Sequence, residues 1–209
     1  MLSELEIEKQ YFSQDHKLIA GIDEAGRGPL AGPVVAACVA IGEGDMEKIA
    51  TSKEFSWVKD SKKISEKRRV ELAKLIRENF AVGVGVCHSE TIDRMNILQA
   101  TFLAMKLAIN DCHKKADIYL VDGKMALPNF SAPQKAIIDG DALVFVIAAS
   151  SIIAKTERDE MMKDLHEKYP QYGFDKHKGY GTKVHLEALK KFGASEVHRK
   201  SFAPVAKVV

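Results

Sequence analysis

The stretch Gly21-Ile22-Asp23-Glu24-Ala25-Gly26-Arg27-Gly28-Pro29 lies between two apolar runs, residues 18–20 and 34–39. Apolar runs bounded by glycine and proline predict two buried strands, over 18–23 and 33–41, joined by a Gly/Pro-rich turn. Acidic side chains at the end of a buried strand are costly unless something pairs with them, and a divalent metal is a common reason to place two there. Glycines let backbone N–H groups approach a ligand, and Arg27 favours an anionic one. The alternative for Asp23 and Glu24 is a plain turn, which favours Asp and Gly in its own right.

The composition is typical of a globular protein without a membrane span. The chain has 209 residues, 46% of them hydrophobic and 29% charged, which suits one domain with a sizeable core. The net charge of +2 says little about nucleic acid unless basic residues cluster locally. The three cysteines form no CxxC pair and are expected to be buried free thiols. Together with the absence of a signal-peptide start or a long apolar stretch, this predicts a cytoplasmic protein.

The remaining patterns predict an α/β fold. The β–β–α–β–α–β order of the predicted elements indicates a mixed sheet flanked by helices in a single domain, 1–209, whose residues from about 165 onward form a helical and loop extension. A stripe of Val184, Ala188, Leu189 and Phe192 is expected on the inner face of the last helix. The predicted elements are a helix over 2–12, a polar loop over 43–63, a helix over 66–79 capped by Ser65, a strand over 81–87, a strand over 118–121, a weak strand over 135–138, helix over most of 142–167, a loop over 169–181, and a last helix that Thr182 caps and that ends at Gly193. A helix over 96–113 is predicted from the apolar stripe of Leu98, Phe102, Met105, Ile109 and Cys112.

Two further acidic positions resemble the first. Asp122 follows an apolar strand directly, as Asp23 does, and ligands of α/β sheets gather outside the carboxyl ends of strands. A lone Asp-Gly after a strand is otherwise usually a turn. Asp139-Gly140-Asp141 precedes the long helix, where an aspartate is either a helix cap, the reading favoured for this motif alone, or part of a carboxylate cluster.

Two segments are candidates for nucleic-acid contacts. The loop Asp175-Lys176-His177-Lys178-Gly179-Tyr180-Gly181 combines cations, a ring and glycines, a mixture that suits phosphate contacts with a ring packed on a sugar or base. The basic set Lys59, Lys62, Lys63, Lys67, Arg68 and Arg69 lies at a loop-to-helix junction, where it could follow a phosphate backbone. The alternative in both cases is a solvated surface.

Taken together, these segments resemble the bacterial ribonuclease HII family, the type 2 ribonucleases H. The resemblance covers nearly the whole chain in the right order, and its first motif is the most specific. The matching stretches are residues 21–35, Asp60-Ser61-Lys62-Lys63, Val121-Asp122-Gly123, residues 148–155 with Arg158-Asp159, Tyr172-Gly173, His177-Lys178-Gly179-Tyr180, and His198-Arg199-Lys200-Ser201-Phe202.

The resemblance implies a ribonuclease H-like fold and an endonuclease that cuts the RNA strand of RNA/DNA hybrids and incises at single ribonucleotides in duplex DNA, in replication and ribonucleotide repair. It implies 5′-phosphate and 3′-hydroxyl products and catalysis with Mg²⁺ or Mn²⁺, hard ions that prefer oxygen ligands. Asp23, Glu24 and Asp122 match the metal-binding acids, and Asp141 matches a fourth catalytic aspartate. The chain departs from the family at Asp139, where a lysine is usual.

The resemblance also assigns residues to the substrate. Gly26, Arg27 and Gly28 match the segment that contacts the ribonucleotide, and Tyr180 matches a tyrosine that packs on its sugar, although a core aromatic is the alternative for Tyr180. We expect a monomer that binds no membrane. Further substrate contacts are expected from Lys62, Lys63, Ser151, Lys155 and Lys178. Asp159 is interpreted as a structural acid paired with Arg158.

Two other functions stay open. One is a different metal-dependent nuclease or phosphotransferase of the same fold, such as a junction resolvase, which would cut fully deoxy junctions without needing a ribose. The other is a non-catalytic nucleic-acid-binding module, against which the intact set of Asp23, Glu24 and Asp122 argues.

Overall fold

The computed structural model describes residues 5–60 and 64–209, which are arranged around a five-stranded sheet. The strand order is β3-β2-β1-β4-β5, with antiparallel pairs among the first three and parallel pairs between β1, β4 and β5. The mixed sheet predicted from the sequence is thereby confirmed. The strands are β1 (Leu18–Ala25), β2 (Val34–Gly42), β3 (Ala81–Cys87), β4 (Ile118–Asp122) and β5 (Gln134–Ile137).

Helices cover both faces of the sheet and form the C-terminal part of the chain. Ser65 and Thr182 accept hydrogen bonds from the N–H groups of Arg68 and His185, so both predicted caps are confirmed. No helix in the described ranges is long and apolar enough to span a membrane. The helices are α1 (Glu6–Phe12), α2 (Met46–Thr51), α3 (Glu66–Asn79), α4 (Ser89–Met95), α5 (Ile97–Asp111), α6 (Gly140–Leu143), α7 (Phe145–Lys168), α8 (Phe174–His177), α9 (Lys183–Phe192) and α10 (Ala203–Ala206).

Three apolar clusters hold these layers together. Helices α1, α3 and α7 pack on one face of the sheet, and α5 packs on the other through the predicted stripe of Phe102, Met105 and Ile109. The third cluster joins the C-terminal helices around Tyr172 and Phe174. Cys38, Cys87 and Cys112 are buried free thiols, as predicted.

Three sequence predictions are wrong in detail. The predicted loop over 169–181 contains α8 and a 3₁₀ turn over Pro170–Tyr172. Residues 43–63 are not only a polar loop, because α2 and a 3₁₀ turn over Phe55–Asp60 bury Ile49, Phe55 and Val58 in the first cluster. On α9, Val184 and Phe192 are exposed by 64% and 48%. The helix instead buries His185 beside Ala188 and Leu189, since that face meets the C-terminal cluster.

The long helix α7 lies directly against β1, and this contact positions the site. A Cβ atom on Gly21 would lie 2.2 Å from the carbonyl carbon of Val146, so only glycine allows the helix this close. The Ser150 hydroxyl donates a hydrogen bond to the Gly21 carbonyl at 2.9 Å. At the helix start, the buried Glu8 carboxylate accepts the Phe145 N–H at 2.6 Å, which places a negative group at the positive end of the helix dipole.

Candidate active site

Three aspartates meet at the carboxyl ends of two neighbouring strands. Because β1 and β4 are parallel and their pairing ends at Ile22 and Val121, the next residues, Asp23 and Asp122, lie side by side at this edge of the sheet. The backbone N–H of Asp141 donates a hydrogen bond to Asp122 Oδ1 at 3.3 Å. Asp23 and Asp141 are each only 6% exposed, so the structure brings these acids into one buried neighbourhood.

Asp23 and Glu24 leave opposite faces of the strand, as neighbouring strand residues do. The Asp23 carboxylate accepts a hydrogen bond from the Ser151 hydroxyl of α7. It also accepts one from the backbone N–H of Glu24 at 2.7 Å. Glu24 Oε1 accepts a hydrogen bond from Arg27 Nη1 at 3.2 Å. Within residues 5–60 and 64–209, no three His, Cys, Asp or Glu side chains are placed so that they could hold one ion. In the described part of the chain these acids therefore lie close together without forming a three-ligand site, and Glu24 is turned toward Arg27.

The carboxylates of the cluster repel one another when they are charged. Burial raises the pKa of Asp23 well above its usual range, and the charges of Glu24 and Asp122 raise that pKa further, against the lowering effect of the Ser151 hydrogen bond. Burial also raises the pKa of Glu24, which the Arg27 guanidinium partly offsets. A bound cation or proton would relieve this repulsion, which is the electrostatic condition of a functional site.

The neighbouring acid Asp139 lies outside this cluster. It is exposed, has a φ of 54°, and makes no side-chain capping bond at the start of α6. The long helix α7 begins after Val144, so neither Asp139 nor Asp141 caps it. The helix-cap alternative is wrong, and the buried aspartate of the pair is Asp141.

A cavity of about 380 Å³ opens beside the acids. The β1–β2 loop, α7 and the loop after α8 form its walls. Six of the residues predicted to contact substrate line it together with Glu24, namely Gly26, Arg27, Gly28, Ser151, Lys155 and Tyr180. The sequence segments that carried the prediction thus meet in one place, although they are separated by more than a hundred residues of chain.

Tyr180 borders this cavity and is not part of the core. Its side chain is 48% exposed, and a Cβ atom on Gly28 would lie 3.7 Å from the edge of its ring. The alternative that Tyr180 is a core aromatic is therefore wrong. We call residues 26–33, between β1 and β2, the glycine loop. The Tyr180 ring is free to pack on a group that enters between the glycine loop and the loop after α8.

The predicted basic contacts differ in their placement. Lys155 lines the cavity and pairs with Asp159 at 3.5 Å. Lys178 does not line it, because its ammonium donates to the Asp175 carbonyl at 2.7 Å. Lys62 and Lys63 lie outside the described residues.

The expected pairing of Asp159 with Arg158 is corrected by the structure. Asp159 accepts a hydrogen bond from Arg69 of α3 at 2.9 Å, and both side chains are buried. Arg158 points to the other side of α7, toward the glycine loop. Asp159 is structural in that it ties α3 to α7 beside the cavity.

Comparisons with known proteins agree with this geometry. The family model described as Ribonuclease HII matches residues 20–205. Ribonuclease HII of Chlamydia pneumoniae is 48% identical over 206 residues, which cover 98% of this chain and 92% of the relative. The chain belongs to the ribonuclease HII family. It is thereby a ribonuclease H hydrolase.

Solved structures of related ribonucleases share the fold. Ribonuclease H2 from Pyrococcus horikoshii OT3 has a TM-score of 0.75 at 27% identity, over 91% of this chain and 96% of that chain. A Bst-RNase HIII solved in complex with Mn²⁺ has a TM-score of 0.69 at 19% identity, over 92% of this chain and 69% of that one. The mixed sheet with flanking helices is therefore the fold of the ribonuclease HII and HIII structures.

Arg158 is a site residue that the sequence interpretation missed. Arg158 donates to the carbonyls of Pro33 and Lys178 at 3.0 and 2.9 Å, which ties the glycine loop to the loop that carries Tyr180. Gly26 has a φ of 95°, and a Cβ atom there would lie 2.1 Å from Arg158 Nε. The available signal was helical spacing, because position 158 follows Ser151 by seven residues and so shares its helix face.

Two buried histidines hold the backbone of Tyr180. The Ser195 N–H donates to His198 Nδ1 at 3.0 Å, so the His198 proton lies on Nε2. His198 Nε2–H donates to His185 Nε2 at 3.0 Å. His185 therefore carries its own proton on Nδ1, which donates to the Tyr180 carbonyl at 2.9 Å. Both rings must be neutral for this chain of hydrogen bonds to form. Sequence spacing gave no signal for it, since the contacts are set by the fold of the C-terminal part.

We expect acid to weaken the fold through this histidine pair. Burial, then the neighbouring His185, lowers the pKa of His198 to about 4. Between an unfolded pKa of about 6.5 and this value, the unfolded chain binds a proton that the folded chain does not, so stability falls as pH falls. Denaturant unfolding at pH 7 and 4.5 should show a loss larger by about 2 kcal/mol in the wild type than in His198→Asn. Equal pH dependence in the two proteins would contradict this.

Proposed function

We propose that this member of the ribonuclease HII family cuts the RNA strand of RNA/DNA hybrids and incises at single ribonucleotides in duplex DNA, leaving 5′-phosphate and 3′-hydroxyl ends. The observation that carries the proposal is the meeting of Asp23, Asp122 and Asp141 at the ends of β1 and β4, beside a cavity walled by the glycine loop and Tyr180. Acidic residues suited to metal-dependent phosphodiester chemistry thus lie next to a cavity wall suited to contacting a sugar.

The donor set fits a hard divalent ion, Mg²⁺ or Mn²⁺. It consists of carboxylate oxygens, and burial raises the pKa of both Asp23 and Glu24, so a bound cation would stabilise their charged forms. We assign Asp23, Glu24, Asp122 and Asp141 to the metal, with Glu24 released from Arg27 when it binds. Two such ions, when bound, supply an activated water and charge stabilisation at the leaving oxygen of an in-line displacement. The structural neighbour solved with Mn²⁺ is consistent with this choice of ions.

The chain's own residues orient the substrate. Ser151 holds the Asp23 carboxylate in place from α7. Gly26, Arg27 and Gly28 leave room for a ribose to approach the backbone, where its 2′-hydroxyl distinguishes RNA from DNA. Tyr180 packs on that sugar from the opposite wall, and Lys155 is placed for a phosphate oxygen. Lys62, Lys63 and Lys178 are proposed as phosphate contacts farther along the duplex, and for Lys178 this requires its ammonium to leave the Asp175 carbonyl.

We propose that the enzyme acts as a monomer in the cytoplasm. The buried cysteines are free thiols, which is the usual state of cysteine in a reducing compartment.

Tyr180→Ala should impair cutting at a lone ribonucleotide more than cutting within a long RNA tract. A tract offers several registers, so that sensing one sugar matters less, and we expect a loss on the order of 10-fold or more at the lone ribonucleotide against about threefold in the tract. The check is kcat/KM on both substrates, with melting temperature measured on the same preparation. The exposed ring predicts little change in melting temperature. Equal losses on both substrates with a lowered melting temperature would refute the recognition role.

The proposed function is tested with four labelled duplexes of one sequence: an RNA/DNA hybrid, a DNA duplex with one ribonucleotide, an all-DNA duplex and an all-DNA four-way junction. We expect Mg²⁺-dependent cutting of the first two only, with ends that a ligase and a phosphatase identify as 3′-hydroxyl and 5′-phosphate. Cutting of the all-DNA junction would favour a resolvase. Tight binding without cutting in Mg²⁺ or Mn²⁺ would favour a non-catalytic binding module.

A further inference from the structure

Arg199 is a wholly buried arginine whose guanidinium is bonded to backbone carbonyls. It donates to Gly26 at 2.6 Å, Arg27 at 2.9 Å, and Gly32 and Pro33 at 3.1 Å. Among the described residues, no carboxylate lies within ion-pair distance of it. Burial, then the nearby positive charge of another arginine, lowers the pKa of Arg199 to about 9, so the group is held at an electrostatic cost. A buried guanidinium held at such a cost is expected to serve a role besides packing.

The bonds to Gly26 and Arg27 fix the direction of two peptide planes. In a trans peptide the N–H of the next residue points opposite to the carbonyl, and the described chain contains no cis peptide. With both carbonyls turned toward Arg199, the N–H groups of Arg27 and Gly28 point the other way. Neither N–H has a hydrogen-bond acceptor in the described part of the chain, and both residues line the cavity beside the acids.

We propose that Arg199 is a positioning residue for ribose discrimination. By holding two carbonyls from behind, it presents the N–H groups of Arg27 and Gly28 as a preformed pair of donors for an oxygen of the ribonucleotide. The inference rests on the proposed function of the site. It adds a residue in the C-terminal part that touches no substrate and yet sets how well the enzyme tells ribose from deoxyribose.

The geometry needs the forked shape of arginine. Its planar guanidinium reaches four carbonyls at once, whereas a lysine ammonium is a point donor that cannot span the carbonyls of Gly26 and Arg27 in the same way. Arg199→Lys therefore keeps the positive charge but loosens the two peptide planes. A displacement of about 1 Å in such groups is enough to weaken recognition strongly.

The test measures binding in the Asp23→Asn protein, which we expect to bind duplex without cutting it. Kd is compared for a DNA duplex with one ribonucleotide and for the same duplex without it, in Mg²⁺, with and without Arg199→Lys. We expect Arg199→Lys to reduce the preference for the ribonucleotide about fivefold or more, the equivalent of one net hydrogen bond, while Kd for all-DNA changes less than about twofold. Leu189→Ala is the matched control, because it weakens packing in the C-terminal part without removing any of the hydrogen bonds that Arg199 makes.

The outcomes separate the two proposals. If the Asp23→Asn parent shows no preference for the ribonucleotide, the proposed function fails and this inference fails with it. If the parent shows the preference and Arg199→Lys retains it, or if Leu189→Ala loses it equally, only the role of Arg199 is overturned.

A second measurement covers the case in which Arg199→Lys does not fold. With Arg199 intact, the backbone amide resonances of Arg27 and Gly28 should shift on binding the ribonucleotide duplex, and shift differently from their response to all-DNA. Identical shifts with both duplexes would overturn the proposal.

Discussion

Asp23→Asn should reduce cleavage of a hybrid or a single-ribonucleotide duplex by on the order of 10³-fold or more, with Kd for the duplex changed less than about threefold. Asp23 is as buried as Asp141, is hydrogen-bonded by Ser151 of α7, and its charge is central to the repulsion that a metal would relieve. Asn keeps the shape and the acceptor for Ser151 but removes the charge. Single-turnover cleavage and duplex binding, measured on one preparation, check both parts.

A matched control is Asp164→Asn, an exposed acid on α7 outside the cavity. It removes the same charge from the protein and should leave both cleavage and binding near wild type. An Asp23→Asn protein that still cuts at close to the wild-type rate would end the assignment of Asp23 to the metal.

The second large effect separates Asp141 from Asp139. Asp141→Asn should lower turnover by about 100-fold or more, because Asp141 is buried next to Asp122, whereas Asp139→Asn should stay within about threefold of wild type. The two substitutions are two residues apart and chemically identical, so each controls for the other. Single-turnover rates and helicity by circular dichroism are the measurements. A larger loss at Asp139 would reverse the assignment, and small losses at both would remove this segment from the active site.

The strand-end acids could be predicted because their information is local. Each follows an apolar run. Parallel pairing of β1 with β4 is then enough to bring Asp23 and Asp122 together, and no other long-range contact has to be known. Local spacing also gave the five strands and the caps at Ser65 and Thr182, since a capping bond joins residues only three apart.

The support behind the site could not be predicted, because it depends on contacts over long stretches of chain. Arg199 bonds carbonyls more than 160 residues before it, and Arg69 rather than Arg158 proved to be the partner of Asp159. The burial of His185 on α9 depends on what packs against that helix. A hydrophobicity pattern shows that one face is buried, but it carries no information on the polar partner that makes a buried imidazole or guanidinium acceptable.

The central claim is that the buried acids form a divalent-metal site, and the melting temperature of Asp23→Asn tests it without relying on activity. Because the pKa of Asp23 is raised in the fold, its charge at pH 7.5 destabilises the metal-free protein, so Asp23→Asn should melt higher than wild type in EDTA by a few degrees. In millimolar Mn²⁺ the wild type should gain more than the variant, narrowing or reversing the order, since the ion binds the folded site that retains all four acids. Equal shifts with Mn²⁺ in both proteins, or none in either, would contradict the account.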